Sequence, residues 1–301
     1  MLQLAGPAHG PAFQTMLKTK LLSFLFGLRL SFCTCQPEVK QSGFNTVQDG
    51  YEITRIGELP TVVEESSGMV LASGKPSFWV HNDSGSPPEI YEVDLQGTLL
   101  STLYVKGVRN VDWEDIARDD EGNLYIGDFG NNNSDRRDLA VYRINPRTAD
   151  VDRISFRYAD QTAFPPVKTE RNFDCEAMFF HRDSLYLFSK NWGTDDRVRM
   201  YVLPAQPGDY TVAPRDRVYL NSEVTAADIS PDGKTFALLS YGKLFFFGVE
   251  NGQINFNRPL DCVKVARNQT ESVTFVNDSD VLITNEQRKI YYVRRRKAAL
   301  Q

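Results

Sequence analysis

Beyond residue 60, apolar and polar residues alternate in short runs separated by turns rich in Gly, Asp, Asn and Ser. Alternation with period two, together with β-branched and aromatic enrichment, predicts strands, and no helical period competes. The runs recur in a fixed order. An opening run led by an acid reads ESSGMVL from Glu65, WEDIARD from Trp113, CEAMFFH from Cys175 and TESVTFV from Thr270. A fifth, AADISPD from Ala226, has Ala227 in place of the acid. Each is followed by a polar turn, by a second run (SFWVHND, NLYIGDF, SLYLFSK, TFALLSY, DVLITNE) and by a third (EIYEVD, LAVYRIN, VRMYVLP, KLFFFGV, KIYYVRR).

Four short antiparallel strands per unit, repeated about every 45–60 residues, predict an all-β fold, a β-propeller. The repeat counts five blades. A degenerate sixth has room in either long spacer, Ala159–Asp174 or Ala205–Glu223. The last unit stops at KIYYVRR without a fourth strand, while Tyr51–Gly57 (YEITRIG) belongs to no unit. That N-terminal strand is expected to complete the last blade, closing the ring and removing an open edge. A β-sandwich is the competing arrangement.

The N-terminus reads differently. Lys18 and Lys20 precede the apolar run Leu21–Leu28, then Arg29 and a stretch holding Cys33 and Cys35. A basic segment before a short apolar core describes a secretory signal, too short to span a bilayer. Residues 1–35 are therefore expected to be a leader with its start at Met16, residues 36–50 a linker, and residues 51–301 one propeller domain. A cysteine just after the core resembles a bacterial lipoprotein signal, with Cys33 or Cys35 carrying the lipid, although Phe32 and Thr34 stand where that signal has a small residue. The expected location is extracytoplasmic: periplasmic, outer-membrane-anchored or secreted, with the membrane reached only through that anchor. Cys175 and Cys262 remain beyond the leader and are expected as two buried free thiols, since neither sits in a CxxC pair.

The 301 residues carry 34 Lys and Arg against 39 Asp and Glu, and removing the leader takes away three cations and no acid. So acidic a surface excludes a nucleic-acid binder and suits cations or basic ligands. In a propeller, the start of the innermost strand and the loop after the second strand share one face. Two columns of the repeat therefore converge at the channel mouth. The first holds Glu114, Glu176 and Glu271, with Glu65 nearby. The second holds Asp83, Asp128, Asn191, Ser240 and Asn285. His81, Asn82, Asn131, Lys190, Trp192 and Tyr241 lie on the same loops and, with Asp83, Asn191 and Asn285, are the candidate ligand-binding residues. Phe129, Trp192 and Tyr241 suit a flat or sugar-like ligand.

Carboxylates crowded at one mouth must take up protons, stay hydrated or pair with a cation. Oxygen donors select a hard ion, and Ca²⁺ is expected at Glu65, Glu114, Glu176, Asp128 and Glu271. With only His81 and His181 outside the leader, a histidine-rich transition-metal site is unavailable. The competing role for each Glu is structural, accepting backbone N–H bonds from the next blade. The run Arg294–Lys297 reads as a solvated tail.

Glu65-Ser66-Ser67-Gly68-Met69, Asp112-Trp113-Glu114-Asp115-Ile116 and Asp174-Cys175-Glu176-Ala177-Met178 resemble the E-x-SG-[LM] and D-x-E-[DGA]-[IML] elements of bacterial propellers of the SdiA-regulated and esterase-like phytase type. The resemblance covers about residues 50–296 and extends more distantly to gluconolactonase and strictosidine-synthase propellers. It implies an extracytoplasmic propeller with calcium in the channel. The glycine that usually follows the Glu is replaced by Asp115, Ala177 and Ser272, and cations able to clamp a phosphate are limited to Lys190 and Arg109. Two functions follow as expectations. One is a monomeric exported propeller binding a divalent cation and a small-molecule or protein ligand at the mouth. The other is a calcium-dependent hydrolase of a phosphoester, ester or lactone, with Glu114 or Glu176 as general base.

Overall fold

The computed structural model describes residues 34–190, 197–265 and 269–296. A short helix α1 (Gln36–Ser42) and strand β1 (Asn45–Thr46) precede β2 (Tyr51–Glu58). Blade one is β3 (Ser66–Leu71), β4 (Ser77–Asn82), β5 (Glu89–Asp94) and β6 (Leu99–Tyr104). Blade two is β7 (Trp113–Arg118), β8 (Leu124–Asp128), β9 (Ala140–Ile144) and β10 (Val151–Tyr158). Blade three follows with β11 (Cys175–His181), β12 (Ser184–Ser189) and β13 (Arg197–Pro204), then β14 (Gly208–Val212) and β15 (Pro214–Tyr219). Blade four is β16 (Val224–Ile229), β17 (Thr235–Ser240), β18 (Lys243–Gly248) and β19 (Pro259–Lys264). Blade five is β20 (Thr270–Phe275), β21 (Val281–Asn285) and β22 (Lys289–Arg295).

These strands form five sheets, so the protein is a five-bladed β-propeller. Strand β2 pairs antiparallel with β22, Tyr51 opposite Arg295, and closes the ring as the missing fourth strand predicts. The spacers do not hide a sixth blade. Strand β14 leaves blade three to pair parallel with β10 at the edge of blade two, and β15 returns as the outer strand of blade three. The core is divided accordingly. Five apolar clusters each fill one wedge between neighbouring blades, as between blades one and two, where Val70, Ile90, Trp113, Ile116 and Ile126 meet. Both faces of a middle strand are thereby covered, which is why β18, KLFFFG, is buried along its whole length.

Two expectations about the N-terminal region are corrected. Residues 36–50 are a docked strap rather than a linker. Pro37 stands in the first turn of α1, Gly43 ends the helix at φ 77°, and β1 runs parallel to β19 as a fifth strand of blade four. Phe44 packs on Phe245 and Phe247 between blades three and four. Cys262 is not a free thiol: its sulfur is joined to Cys35, 227 residues away, because the strap carries Cys35 to β19. Among the described residues, Cys175 is the free cysteine, and it is buried. A structural disulfide of this kind belongs to oxidising, extracytoplasmic compartments. Residues 1–33, including Cys33, lie outside the described residues, and no described helix is long and apolar enough to cross a membrane.

Candidate functional site

One irregularity recurs in every inner strand. Pairing with the second strand skips a residue between Ser66 and Gly68, Trp113 and Asp115, Cys175 and Ala177, Val224 and Ala226, and Thr270 and Ser272. A β-bulge leaves its extra residue unpaired and re-aims its side chain. The bulged residues are Ser67, Glu114, Glu176, Thr225 and Glu271. The first column is thus correct for three blades, but its members in blades one and four are Ser67 and Thr225, not Glu65 and Ala227. The residues across from the bulges are Asn82, Asp128, Ser189, Ser240 and Asn285, so the second column slips by one residue in blade one and by two in blade three.

Glu114 lies where two groups of acids meet. Its carboxylate and those of Asp83 and Asp112 have oxygens within 4.8 Å of one another, and so do those of Glu114, Asp174 and Glu176. Glu114, Asp174 and Glu176 are buried and Asp83 and Asp112 half-buried, and these groups could hold a metal ion. Asp112 and Asp174 are the site residues that the column argument misses. Their signal is the twice-written D-x-E, in which each Asp stands just before its inner strand and two residues ahead of the bulged Glu. The backbone at Gly130 closes the cradle: a Cβ there would stand 2.1 Å from Glu114 Oε1 and 2.4 Å from Asp112 Oδ2. Lys190, itself buried, donates to Glu176 Oε1 at 2.9 Å and lies 5.7 Å from the Tyr241 ring.

Other candidates go elsewhere. Glu65 is exposed and apart from both groups of acids. Asp128 is paired with Arg136 at 2.9 Å and accepts the Asp112 N–H, holding the entry to β7. Asn82 accepts the Glu65 N–H and donates to the Val62 carbonyl, fastening the loop into blade one. Asn131 donates its backbone N–H to Asp174 Oδ1 at 2.6 Å, so it positions an acid of the site. His81 is fully buried, its Nδ1 3.0 Å from the Asn82 carbonyl and its ring edge-on to Trp113. Asn285 is buried and accepts the Lys289 N–H within its own turn. Phe129 is buried against Phe156. Asn191 and Trp192 lie outside the described residues.

The blade-locking role expected for the glutamates is filled by other acids of the inner strands. Asp115, wholly buried, accepts N–H bonds from Met178 in blade three and Ala227 in blade four. Asp228 likewise binds Phe275 N–H and Thr274 Oγ1 of blade five. The glutamates are thus left to the mouth.

Electrostatics at the mouth run one way. Burial, then the charges of Glu176 and the neighbouring aspartates, pushes Glu114 well above the usual carboxylate range. Burial and Asp174 do the same to Glu176, against the opposing pull of Lys190. Burial raises Asp112 to about 6 and Glu271 to about 8, the latter in spite of Lys190 and a hydrogen bond from Tyr241. A carboxyl raised on folding adds stability that is present below its unfolded pKa and lost as pH climbs through its folded value. His81 acts oppositely, since burial lowers it to about 4, but its change is complete above its unfolded pKa of about 6.5. In chelator, the melting temperature is therefore expected to fall between pH 6.5 and 8, and Glu271→Gln to reduce the slope. A flat profile in wild type would refute the assignment.

No family profile matches the sequence, and no curated protein does. Among solved structures, one similar chain is in a structure described as Crystal Structure of Mitotic Checkpoint Complex. It is 14% identical with a TM-score of 0.40, covering 75% of this chain and 60% of that one. A gluconolactonase from Xanthomonas campestris is 11% identical with a TM-score of 0.49, covering 86% of this chain and 93% of that one.

Proposed function

We propose that this protein is an exported, monomeric propeller that holds a divalent cation, calcium, at its channel mouth and there binds an oxygen-rich small molecule or a protein partner. The observation carrying this reading is the position of Glu114, shared between the group with Asp83 and Asp112 and the group with Asp174 and Glu176. Five carboxylates so close together, with Lys190 as the cation bonded to one of them, keep protons or take a cation. All donors are hard oxygens, and the approach of backbone at Gly130 leaves the carboxylates no room to swing apart on that side. The sulfur of Cys35 is committed to Cys262, which leaves Cys33 as the residue to carry a lipid anchor.

Calcium added to chelator-treated protein is expected to raise the melting temperature. An ion binding only the folded state stabilises by about 2.7 kcal/mol at a hundredfold excess over its Kd. Glu114→Gln and Asp174→Asn should each abolish most of that response. If wild type and both variants melt alike with chelator and with calcium, the cation reading fails.

A calcium-dependent hydrolase is the second reading, and the raised pKa of the Glu114–Glu176 pair favours it. Burial and the nearby like charges push both carboxyls well above the usual carboxylate range, beside Lys190 bonded to Glu176, which suits groups that exchange protons in general acid–base chemistry. The cation, when bound, would polarise the scissile oxygen. A panel of esters, lactones and phosphoesters, assayed with and without chelator, separates the two readings. Turnover lost on chelation and in Glu176→Gln supports the enzyme, and no turnover leaves the binding protein.

A further inference from the structure

A second concave region lies on the face opposite the mouth, between blades one and two, where the turns that follow β3, β7 and β9 come together. It is a groove of about 430 Å³, within the size range of small-ligand sites. Trp79, on β4, lines it and is only half-buried, whereas Trp113 of the same wedge is wholly buried. Lys75, Arg118 and Arg147 line the same groove.

The commitments of these charges decide what the groove can take. Its buried acid, Glu92, is occupied by the hydroxyls of Ser77 and Ser101 at 2.8 and 3.0 Å, with Lys75 3.7 Å away. Glu121, the other acid, faces Arg143 at 3.7 Å. Arg118 is held rigidly, donating Nε–H to the Leu71 carbonyl and an Nη1 hydrogen to the Asp119 carbonyl. Its charge also acts on the buried Asp228, but its Nη2 makes no hydrogen bond or ion pair among the described residues, and neither does the exposed guanidinium of Arg147. The acids are thus used up within the protein while guanidinium donors remain open beside an aromatic surface.

We propose that this groove binds an acidic sugar residue, a uronate within an oligosaccharide. The pyranose ring lies against Trp79, and its carboxylate accepts from Arg118 and Arg147, the pairing that guanidinium geometry favours. The carboxylates of Glu92 and Glu121 on the same walls disfavour a ligand of higher charge, such as a nucleotide phosphate.

The test uses the whole protein in EDTA, which strips cations from the mouth and from the probe alike. Trigalacturonate is titrated by calorimetry and by tryptophan fluorescence. Saturable binding with a change in fluorescence is expected, at least tenfold weaker for the neutral galactose trimer and for AMP. Arg147→Ala, which removes no hydrogen bond or ion pair among the described residues, should weaken binding at least tenfold with the melting temperature unchanged. Trp79→Phe should keep most of the binding but lose the fluorescence change. The proposal is overturned if trigalacturonate does not bind, if Arg147→Ala binds it equally well, or if AMP or the neutral trimer binds as tightly.

Discussion

Replacing Lys243 by methionine is expected to be among the most damaging single substitutions in the protein, costing about 3–5 kcal/mol. Its ammonium is 1% exposed and bonded at 2.6 Å to Glu38, which is wholly buried in the strap. Asn221 closes the arrangement, donating its N–H to Glu38 Oε1 at 3.1 Å and accepting from Lys243 Nζ at 3.3 Å. Removing one partner leaves the other charge buried and uncompensated, whereas removing both exchanges the pair for apolar contact. Glu38 Oε2 already lacks a partner, so little is available to compensate the carboxylate once the ammonium is gone. Urea unfolding should therefore show Lys243→Met much less stable than wild type, and Glu38→Met with Lys243→Met recovering most of the loss. If the single variant matches wild type, the pair does not hold the strap.

Opening the Cys35–Cys262 disulfide is the second large effect. A cross-link stabilises mainly by restricting the unfolded chain, by about 2–5 kcal/mol, and a span of 227 residues lies toward the upper end in that account. The double variant Cys35→Ser, Cys262→Ser should have a lower urea midpoint than wild type in the absence of reductant, and dithiothreitol should move wild type toward the variant. Because the bridge and the ion pair hold the same strap, their losses should sum to less than the two separate values. An unchanged midpoint on reduction would mean that Phe44 and β1 hold the strap unaided.

Strand content, blade number and ring closure are legible in the chain because each depends on neighbours in sequence or on counting units. Alternation of period two survives any arrangement of the sheets, and a final unit lacking one strand demands that strand from elsewhere. Tyr51–Gly57 could supply it, and β2 does. The detour of β14 to blade two is not legible, because its pairing with β10 joins strands of different repeats.

The same division runs through the candidate site. By itself, the sequence determined that glutamates of three blades stand at one end of the channel, because a repeated acid in a repeated strand returns to an equivalent place. Only the tertiary structure decided which carboxylates meet. The bulge in each inner strand moves the register by one residue, putting Ser67 in the column in place of Glu65 and leaving Asp115 to tie three blades together. Asp83, Asp112 and Asp174 join Glu114 because loops of three blades close on one another, which no spacing within a unit encodes. Cys35 finds Cys262 for a related reason: bonds between distant residues are set by how the strap packs, and packing is a property of the assembled wedges.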